Sequence, residues 1–121
     1  MKPVFLCYPK CSTCQKAKKF LDAHQVDYEW RHIVEENPTA DELLEWMALY
    51  EGEPKRFFNT SGMVYRELGL KDKIKTMTKE EMATILATNG MLVKRPELIM
   101  EDKVLIGFKE PEWEAVLEQL K

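Results

Sequence analysis

Residues 4–17, VFLCYPKCSTCQKA, carry most of the information about how this chain folds. Their first half is a short apolar run of the kind found in buried strands, and we predict a strand over about residues 3–8. Apolar residues then recur at helical spacing through Phe20 and Leu21, which predicts a helix over about residues 12–24. A two-cysteine motif therefore lies where a strand passes into a helix.

The cysteines of this motif, Cys11 and Cys14, have the spacing and the position of a redox pair. The first turn of a helix presents unpaired backbone N–H groups and the positive end of the peptide dipoles, and Lys10 adds a positive charge. These features favour a thiolate, the reactive form of cysteine. We interpret Cys11 as the more exposed nucleophile and Cys14 as the thiol that resolves its adducts.

The third cysteine, Cys7, falls within the predicted strand and is expected to be a spare core thiol. Together with Cys11 and Cys14 it leaves a second interpretation open, a zinc or iron–sulfur site. Such sites usually take four ligands, often as two separated pairs. The sequence has neither a second C-x-x-C motif nor a histidine at ligand spacing. We therefore expect no metal and interpret His24 and His32 as structural.

The composition limits the classes of protein to which the chain can belong. Its 121 residues suit one domain, and its net charge of −3 argues against direct binding of nucleic acid or membrane surfaces. No apolar run approaches the ~18 residues of a membrane span, and no signal peptide precedes the first strand. Three cysteines crowded into residues 7–14 also argue against a secreted disulfide scaffold. We expect a cytoplasmic protein.

The rest of the chain predicts further strands and helices of one α/β domain. A strand over residues 28–33 completes a β-α-β unit, which normally contains two parallel strands. Capping boxes at residues 39–42 and 78–81 begin two of the helices that follow. Two β-prone runs, at residues 98–100 and 104–106, predict an antiparallel hairpin.

The order β-α-β, helices, β-β-α predicts the fold class. We expect a thioredoxin-like (glutaredoxin-like) mixed four-stranded sheet with helices on both faces and an inserted helical lobe. The core of this single domain, 1–121, covers about residues 1–36 and 92–121, and the lobe covers about residues 37–91. An unbroken last helix is expected from Glu110 to about Leu120.

Two segments are candidates for substrate contacts. In thioredoxin-like folds a cis-proline commonly precedes the third strand and packs opposite the cysteine motif, so Pro96 is a cis-proline candidate. Arg95 would then stand over Cys11 and offer an anion a bidentate fork, the alternative being a solvated arginine before a loop proline. The loop NTSG at residues 59–62 is either an anion-binding loop or an ordinary helix N-cap.

Taken together, these motifs resemble the arsenate reductase (ArsC) and Spx family of bacterial thioredoxin-like proteins. The resemblance covers nearly the whole chain. It rests on YPKCSTCQKA at residues 8–17, FNTSG at 58–62, YRELGL at 65–70, LVKRP at 92–96 and VLIGF at 104–108. It implies a thioredoxin-like core with an inserted helical lobe.

The resemblance also implies a catalytic chemistry. In arsenate reductases of this family the cysteine matching Cys11 attacks arsenate, and glutathione or a glutaredoxin resolves the adduct. The oxyanion is held by the helix N-terminus, here Ser12 and Thr13, and by arginines, of which Arg95 matches one. The other two arginine positions fall on Asn59 and just before the last helix, so both are replaced. No bound cofactor is implied, only an external reductant such as glutathione, glutaredoxin or thioredoxin.

Cys14 indicates the regulatory branch of the same family. Glutathione-dependent arsenate reductases of the family lack a cysteine at this position, whereas Spx-type regulators carry one and use the pair as a disulfide switch. Spx binds the C-terminal domain of the RNA polymerase α subunit, and a glycine near the end of its second helix, matched here by Gly52, is important there. Two functions stay open: a thiol–disulfide oxidoreductase acting on an oxyanion or disulfide substrate, and a redox-sensing regulator of RNA polymerase.

Overall fold

A mixed sheet of four strands forms the centre of the structure, a computed structural model that describes residues 2–120. The strands β1 (Val4–Cys7), β2 (Glu29–His32), β3 (Glu97–Ile99) and β4 (Val104–Ile106) lie in the order β2-β1-β3-β4. Strand β1 is parallel to β2 and antiparallel to β3, and β3 and β4 form an antiparallel hairpin. The predicted α/β class and the mixed four-stranded sheet are confirmed.

Helices make up most of the connections between the strands. Helix α1 (Ser12–Ala23) crosses from β1 to β2. The lobe, between β2 and β3, contains α2 (Ala40–Leu49), α3 (Met63–Glu67), α4 (Leu70–Lys73) and α5 (Lys79–Leu86), with 3-10 turns at Pro54–Phe57, Ile74–Thr76 and Gly90–Leu92. Helices α6 (Glu110–Ala115) and α7 (Leu117–Leu120) follow β4. Within residues 2–120 no helix is long and apolar enough to cross a membrane.

The two predicted capping boxes begin α2 and α5. At the first, the Glu42 N–H donates to Thr39 Oγ1 at 3.1 Å, and the Thr39 N–H donates to Glu42 Oε1 at 3.0 Å. The bonds between Thr78 and Glu81 repeat these contacts at the same distances. Each box satisfies two backbone N–H groups that a helix start otherwise leaves unpaired.

An ion pair joins the lobe to the sheet at β2. Arg31 donates from Nη1 to Glu42 Oε2 at 2.6 Å and from Nη2 to Glu42 Oε1 at 2.8 Å. This bidentate geometry is the strongest that an arginine and a carboxylate can make. The hydrogen bonds from Arg31 hold the pKa of Glu42 well below its usual range, at about 2.

Each side of the sheet has its own apolar core. On one side, called here the α1 face, Phe5 and Leu98 pack with α1 and with the fully buried Trp113. On the other side, the lobe face, Leu6 and Ile99 pack against the helices of the lobe. Because side chains alternate along a strand, neighbouring residues of β1 and β3 serve opposite cores.

The C-terminal helix differs from its prediction, because it is divided into α6 and α7. The backbone leaves helical geometry at Val116, where φ is −103° and ψ is 1°. Val116 is β-branched and buried under the sheet beside Trp113. Its packing therefore outweighs the continuous helical pattern of apolar residues.

Strand β3 begins one residue earlier than predicted, at Glu97. Glutamate is depleted in strands, which is why the sequence indicated Leu98 as the start. Glu97 pairs in register with Leu6 and Ile106, which places it on the lobe face. It is fully buried, and within the described part of the chain neither carboxyl oxygen has a hydrogen-bond partner. Burial raises the pKa of Glu97 well above its ordinary value.

Candidate active site

Cys11 is the N-cap residue of α1 and the one cysteine without a disulfide partner. Its backbone is extended, its N–H donates to the Tyr8 carbonyl at 3.0 Å, and its own carbonyl accepts the N–H of Gln15 at 3.1 Å. Its side chain is half-buried and makes no capping hydrogen bond among the residues described. Cys11 therefore lies at the start of α1, as the sequence predicted.

The disulfide pairing differs from the expected one. Cys14 is bonded to Cys7, and the Cα atoms of the two residues are 5.8 Å apart. Cys7 is the last residue of β1 and points to the α1 face, where the first turn of α1 places Cys14. Both are almost fully buried, and the Tyr8 N–H donates to Cys14 Sγ at 3.4 Å. The expectation of Cys7 as a spare thiol beside a Cys11–Cys14 pair is wrong for this state of the molecule.

An open cavity of about 660 Å³ has Cys11 in its wall. Thr13, Asn59 and Arg95 line the same cavity, so the fold brings together four of the residues singled out in the sequence. Ser12 is exposed and is not among the residues that line it. A volume of this size is in the range of pockets that hold small molecules or short peptides.

Arg95 is held at this cavity by contacts with Tyr8, just after β1, and with the end of the lobe. Its guanidinium lies 5.2 Å from the centre of the Tyr8 ring, and Nη1 donates to the Met91 carbonyl at 3.4 Å. The peptide bond between Arg95 and Pro96 is cis. The arginine is therefore packed on an aromatic ring rather than simply solvated.

The segment that precedes Arg95 is fixed by close backbone contacts. A Cβ atom at Gly90 would overlap the carbonyl oxygen of Ile33, so this position tolerates only glycine without a backbone shift. Val93 forms an isolated antiparallel bridge with Phe58, and the Lys94 N–H donates to the Phe57 carbonyl at 2.8 Å. Arg95 therefore follows a segment that packs closely on the residue after β2 and is hydrogen-bonded to residues 57 and 58 of the lobe.

Asn59 anchors a loop that lines the same cavity, and its side chain shares the Met91 carbonyl with Arg95. Its N–H donates to the Leu92 carbonyl at 2.7 Å, and its Nδ2 donates to the Met91 carbonyl at 3.5 Å. The carbonyl of Asn59 accepts the N–H of Gly62 at 3.1 Å, and Gly62 is the N-cap of α3. The loop thus begins a helix and lines the cavity at the same time, and anion binding by residues 59–62 stays a prediction.

Three further side chains of the cavity were missed by reasoning from sequence. Lys94 adds a second positive charge next to Arg95, Glu67 adds a negative charge, and Met63 is 70% exposed at the rim. Lys94 belongs to the LVKRP motif, so its place beside Arg95 was a signal that could have been used. Met63 and Glu67 lie on α3, and only the packing of the lobe brings them to Cys11.

The histidines have structural contacts, as expected. Nδ1 of His32 accepts the N–H groups of Val34 and Glu35, both at 3.1 Å, in the turn that follows β2. The His24 ring packs against Phe20 at a centroid distance of 4.5 Å. Over residues 2–120 no group of three or more His, Cys, Asp or Glu side chains is arranged to hold a metal ion.

Comparisons with known proteins agree on a family. A model described as the ArsC family matches residues 6–116. The fold is similar to the crystal structure of a protein from Bacteroides fragilis described as ArsC family related, at 55% identity over 100% of both chains and a TM-score of 0.90. It is also similar to the structure of a protein from Streptococcus mutans described as a possible arsenate reductase, at 43% identity, with 93% of this chain and 97% of that one covered and a TM-score of 0.85. Among curated sequences, the global transcriptional regulator Spx 2 of Bacillus cereus is 30% identical over 84% of this chain and 76% of its own.

Proposed function

The chain belongs to the ArsC family, and from that premise we propose that it is a thiol–disulfide oxidoreductase whose nucleophile is the Cys11 thiolate. The substrate class is a disulfide or a small oxyanion bound in the cavity that Cys11 lines. Cys14, once reduced, is the thiol that resolves the Cys11 adduct. Glutathione, a glutaredoxin or a thioredoxin supplies the electrons from outside.

One observation carries this proposal: the free, half-exposed cysteine is the one that faces the cavity, while the other two are buried behind it. A nucleophile must be accessible and ionised, and the N-terminus of a twelve-residue helix favours the ionised form. Arg95 and Lys94 add positive charge to the same cavity. The nucleophile and the groups that attract an anionic substrate are thus in one place.

The reaction with a disulfide substrate takes two steps. The Cys11 thiolate attacks one substrate sulfur, forms a mixed disulfide and releases the other half of the substrate as a thiolate. The Cys14 thiolate then attacks Cys11 Sγ, which releases the second half and leaves a protein disulfide. The substrate gains two electrons and two protons, and two cysteines are oxidised.

Arsenate is a weaker candidate substrate than a disulfide. The arginine-poor cavity offers Arg95 and the amide of Asn59 where the resemblance implies three arginines. Each hydrogen bond from a charged donor is worth about 1.5–3 kcal/mol, so the loss of two weakens a site for a small dianion severely. Lys94 replaces only part of that charge.

The test is reduction of a small disulfide, 2-hydroxyethyl disulfide, with glutathione or thioredoxin as the electron donor. We expect turnover by the wild type and a loss of at least about 100-fold in Cys11→Ser, because a hydroxyl is a far poorer nucleophile at neutral pH. Cys14→Ser is the matched variant, which should still form the mixed disulfide at Cys11 in a single turnover. Equal rates for Cys11→Ser and the wild type would refute the proposal.

The second candidate function is a redox-sensing regulator that binds the C-terminal domain of the RNA polymerase α subunit. The similarity to the Bacillus cereus regulator supports it, as does the exposed Gly52 just beyond the end of α2. Capture of that domain by the protein in one redox state but not in the other, without turnover of disulfides, would favour the regulator over the enzyme. Substitution of Gly52 by Arg would then abolish the capture.

A further inference from the structure

We propose that Cys7 is a third redox cysteine, which takes the disulfide over from a transient Cys11–Cys14 bond and so returns Cys11 to its free state. The inference rests on the proposed role of Cys11 as the nucleophile and extends it. It assigns to a core cysteine of β1 a step in the reaction, because Cys7 forms a bond to the reacting sulfur of Cys14.

The geometry makes Cys14 the shared partner of a buried sulfur and a more exposed one. Cys7 comes from the buried end of β1, with a Cα separation of 5.8 Å that suits a disulfide. Cys11 comes from the cavity side, three residues before Cys14 at the start of α1, which is the C-x-x-C arrangement of redox disulfides. A disulfide on Cys14 can therefore pass between an accessible partner and a buried one.

The step is an exchange that needs no further oxidant or reductant. Cys7 Sγ attacks Cys14 Sγ, the Cys7–Cys14 bond forms, the Cys11–Cys14 bond breaks, and Cys11 leaves as a thiolate. One disulfide is lost and one is gained, so the number of electrons on the protein does not change. The proton that Cys7 gives up replaces the one that Cys11 lacks, directly or through solvent.

The surroundings of the three sulfurs favour the Cys7–Cys14 disulfide over the Cys11–Cys14 disulfide. Cys11 lies at the cavity, where solvent can stabilise a departing thiolate, whereas a thiolate on the fully buried Cys7 would have no such support. Burying a disulfide costs little, since it is apolar. External thiols cannot reach the buried bond, so a reductant acts only after Cys11 has attacked Cys14 in the reverse exchange.

The test follows the disulfide through one turnover. The fully reduced protein is mixed with one equivalent of 5,5′-dithiobis(2-nitrobenzoate), the reaction is stopped with acid, and free thiols are alkylated. Trypsin cleaves after Lys10 and Lys16, so Cys7 lies on one peptide and both Cys11 and Cys14 on the next. A Cys7–Cys14 bond joins the two peptides, whereas a Cys11–Cys14 bond lies within one.

We expect the wild type to release two thionitrobenzoate ions and to finish with joined peptides and an alkylated Cys11. In Cys7→Ala we expect two ions again, but an internal Cys11–Cys14 bond and no free thiol. In Cys14→Ser we expect one ion and a stable mixed disulfide at Cys11. A wild type that finishes with an internal Cys11–Cys14 bond and an alkylated Cys7 would overturn the proposal while leaving the proposed function intact.

Failure of the proposed function gives a different result. If Cys11→Ser forms the Cys7–Cys14 bond as fast as the wild type, the probe does not enter through Cys11, and both proposals fall. Should Cys7→Ala fold poorly, as judged by near-ultraviolet circular dichroism, Cys7→Ser replaces it. The peptide map of the wild type shows where the disulfide finishes, and Cys11→Ser shows whether it entered through Cys11.

Discussion

The two faces of the sheet bury reactive side chains with opposite consequences for the stability of the fold. On the α1 face Cys7 and Cys14 are bonded to each other inside an apolar cluster that includes Trp113. On the lobe face Glu97 is equally buried, and no hydrogen-bond partner for its carboxyl lies within residues 2–120. Sulfur tolerates an apolar core, whereas an unpartnered carboxyl does not. The cysteines of the α1 face therefore leave no unpaired polar group in the core, whereas the carboxyl of Glu97 destabilises the lobe face.

Reduction of the disulfide on the α1 face should give the largest loss of stability. Closing a loop between residues seven apart restricts the unfolded chain by an amount worth about 2.5 kcal/mol in the chain-entropy model. The free energy of unfolding in urea should fall by about that much when dithiothreitol is added. Cys14→Ala is the control, because it can form neither disulfide and its stability should not respond to the reductant.

Replacement of the carboxyl on the lobe face should have the opposite sign. Glu97→Met keeps a similar shape and removes the unpartnered oxygens, so we expect a gain in the free energy of unfolding of about 1–3 kcal/mol at pH 7. An unchanged or lower stability, measured by urea unfolding, would mean that the carboxyl has a favourable partner.

The pH dependence of the free energy of unfolding separates the cost of ionising the Glu97 carboxyl from the cost of burying a polar group. Burial raises the pKa of Glu97, so above the ordinary value of 4.5 the unfolded chain loses a proton that the folded chain keeps. Stability should therefore fall as the pH rises from about 4.5 towards the raised pKa. Glu97→Gln removes that slope but keeps a buried polar group, whereas Glu97→Met removes both. A wild type whose free energy of unfolding does not fall as the pH rises above 4.5 would contradict the raised pKa of Glu97.

Loss of the ion pair that joins the lobe to β2 should lower the free energy of unfolding by a smaller amount than the changes above. In Glu42→Gln the capping contact with Thr39 can persist while the charge facing Arg31 is lost, and we expect a loss of about 1 kcal/mol, since the pair is partly exposed. The pKa of Glu42 is lowered to about 2, so the stabilisation is complete above pH 4.5 and disappears as the pH falls towards 2.

A matched variant isolates the role of the arginine in that effect. Glu81 holds the same place in the second capping box and has no arginine partner among the described residues. Glu81→Gln should cost about 0.5 kcal/mol or less. Equal losses for the two variants, or a loss in Glu42→Gln that persists at pH 2, would show that the cap alone is responsible.

Local signals in the sequence predicted much of the fold. The two capping boxes, the strand-to-helix passage at Cys11 and the final hairpin each depend on residues close together in the chain, and each is found in the structure. Arg95 was singled out from its place before the candidate cis-proline, and Asn59 from the polar loop at residues 59–62; the structure places both at the cavity of Cys11.

What the sequence missed depends on which way a side chain points in three dimensions. Cys7 pairs with Cys14 because the end of β1 and the first turn of α1 face each other, which spacing alone does not reveal. Glu97 is buried against the preference of its residue type, and the break at Val116 follows packing rather than periodicity. Met63 and Glu67 reach the site only through the arrangement of the lobe.

The most direct test is a count of free thiols in the oxidised native protein. The protein, oxidised under mild conditions and kept free of reductant, is labelled with N-ethylmaleimide without unfolding and then digested with trypsin. We expect one label per chain, on Cys11, with the peptides that contain Cys7 and Cys14 joined by a disulfide. A label on Cys7, with Cys11 bonded to Cys14, would contradict the assignment of Cys11 as the free thiol of the active site.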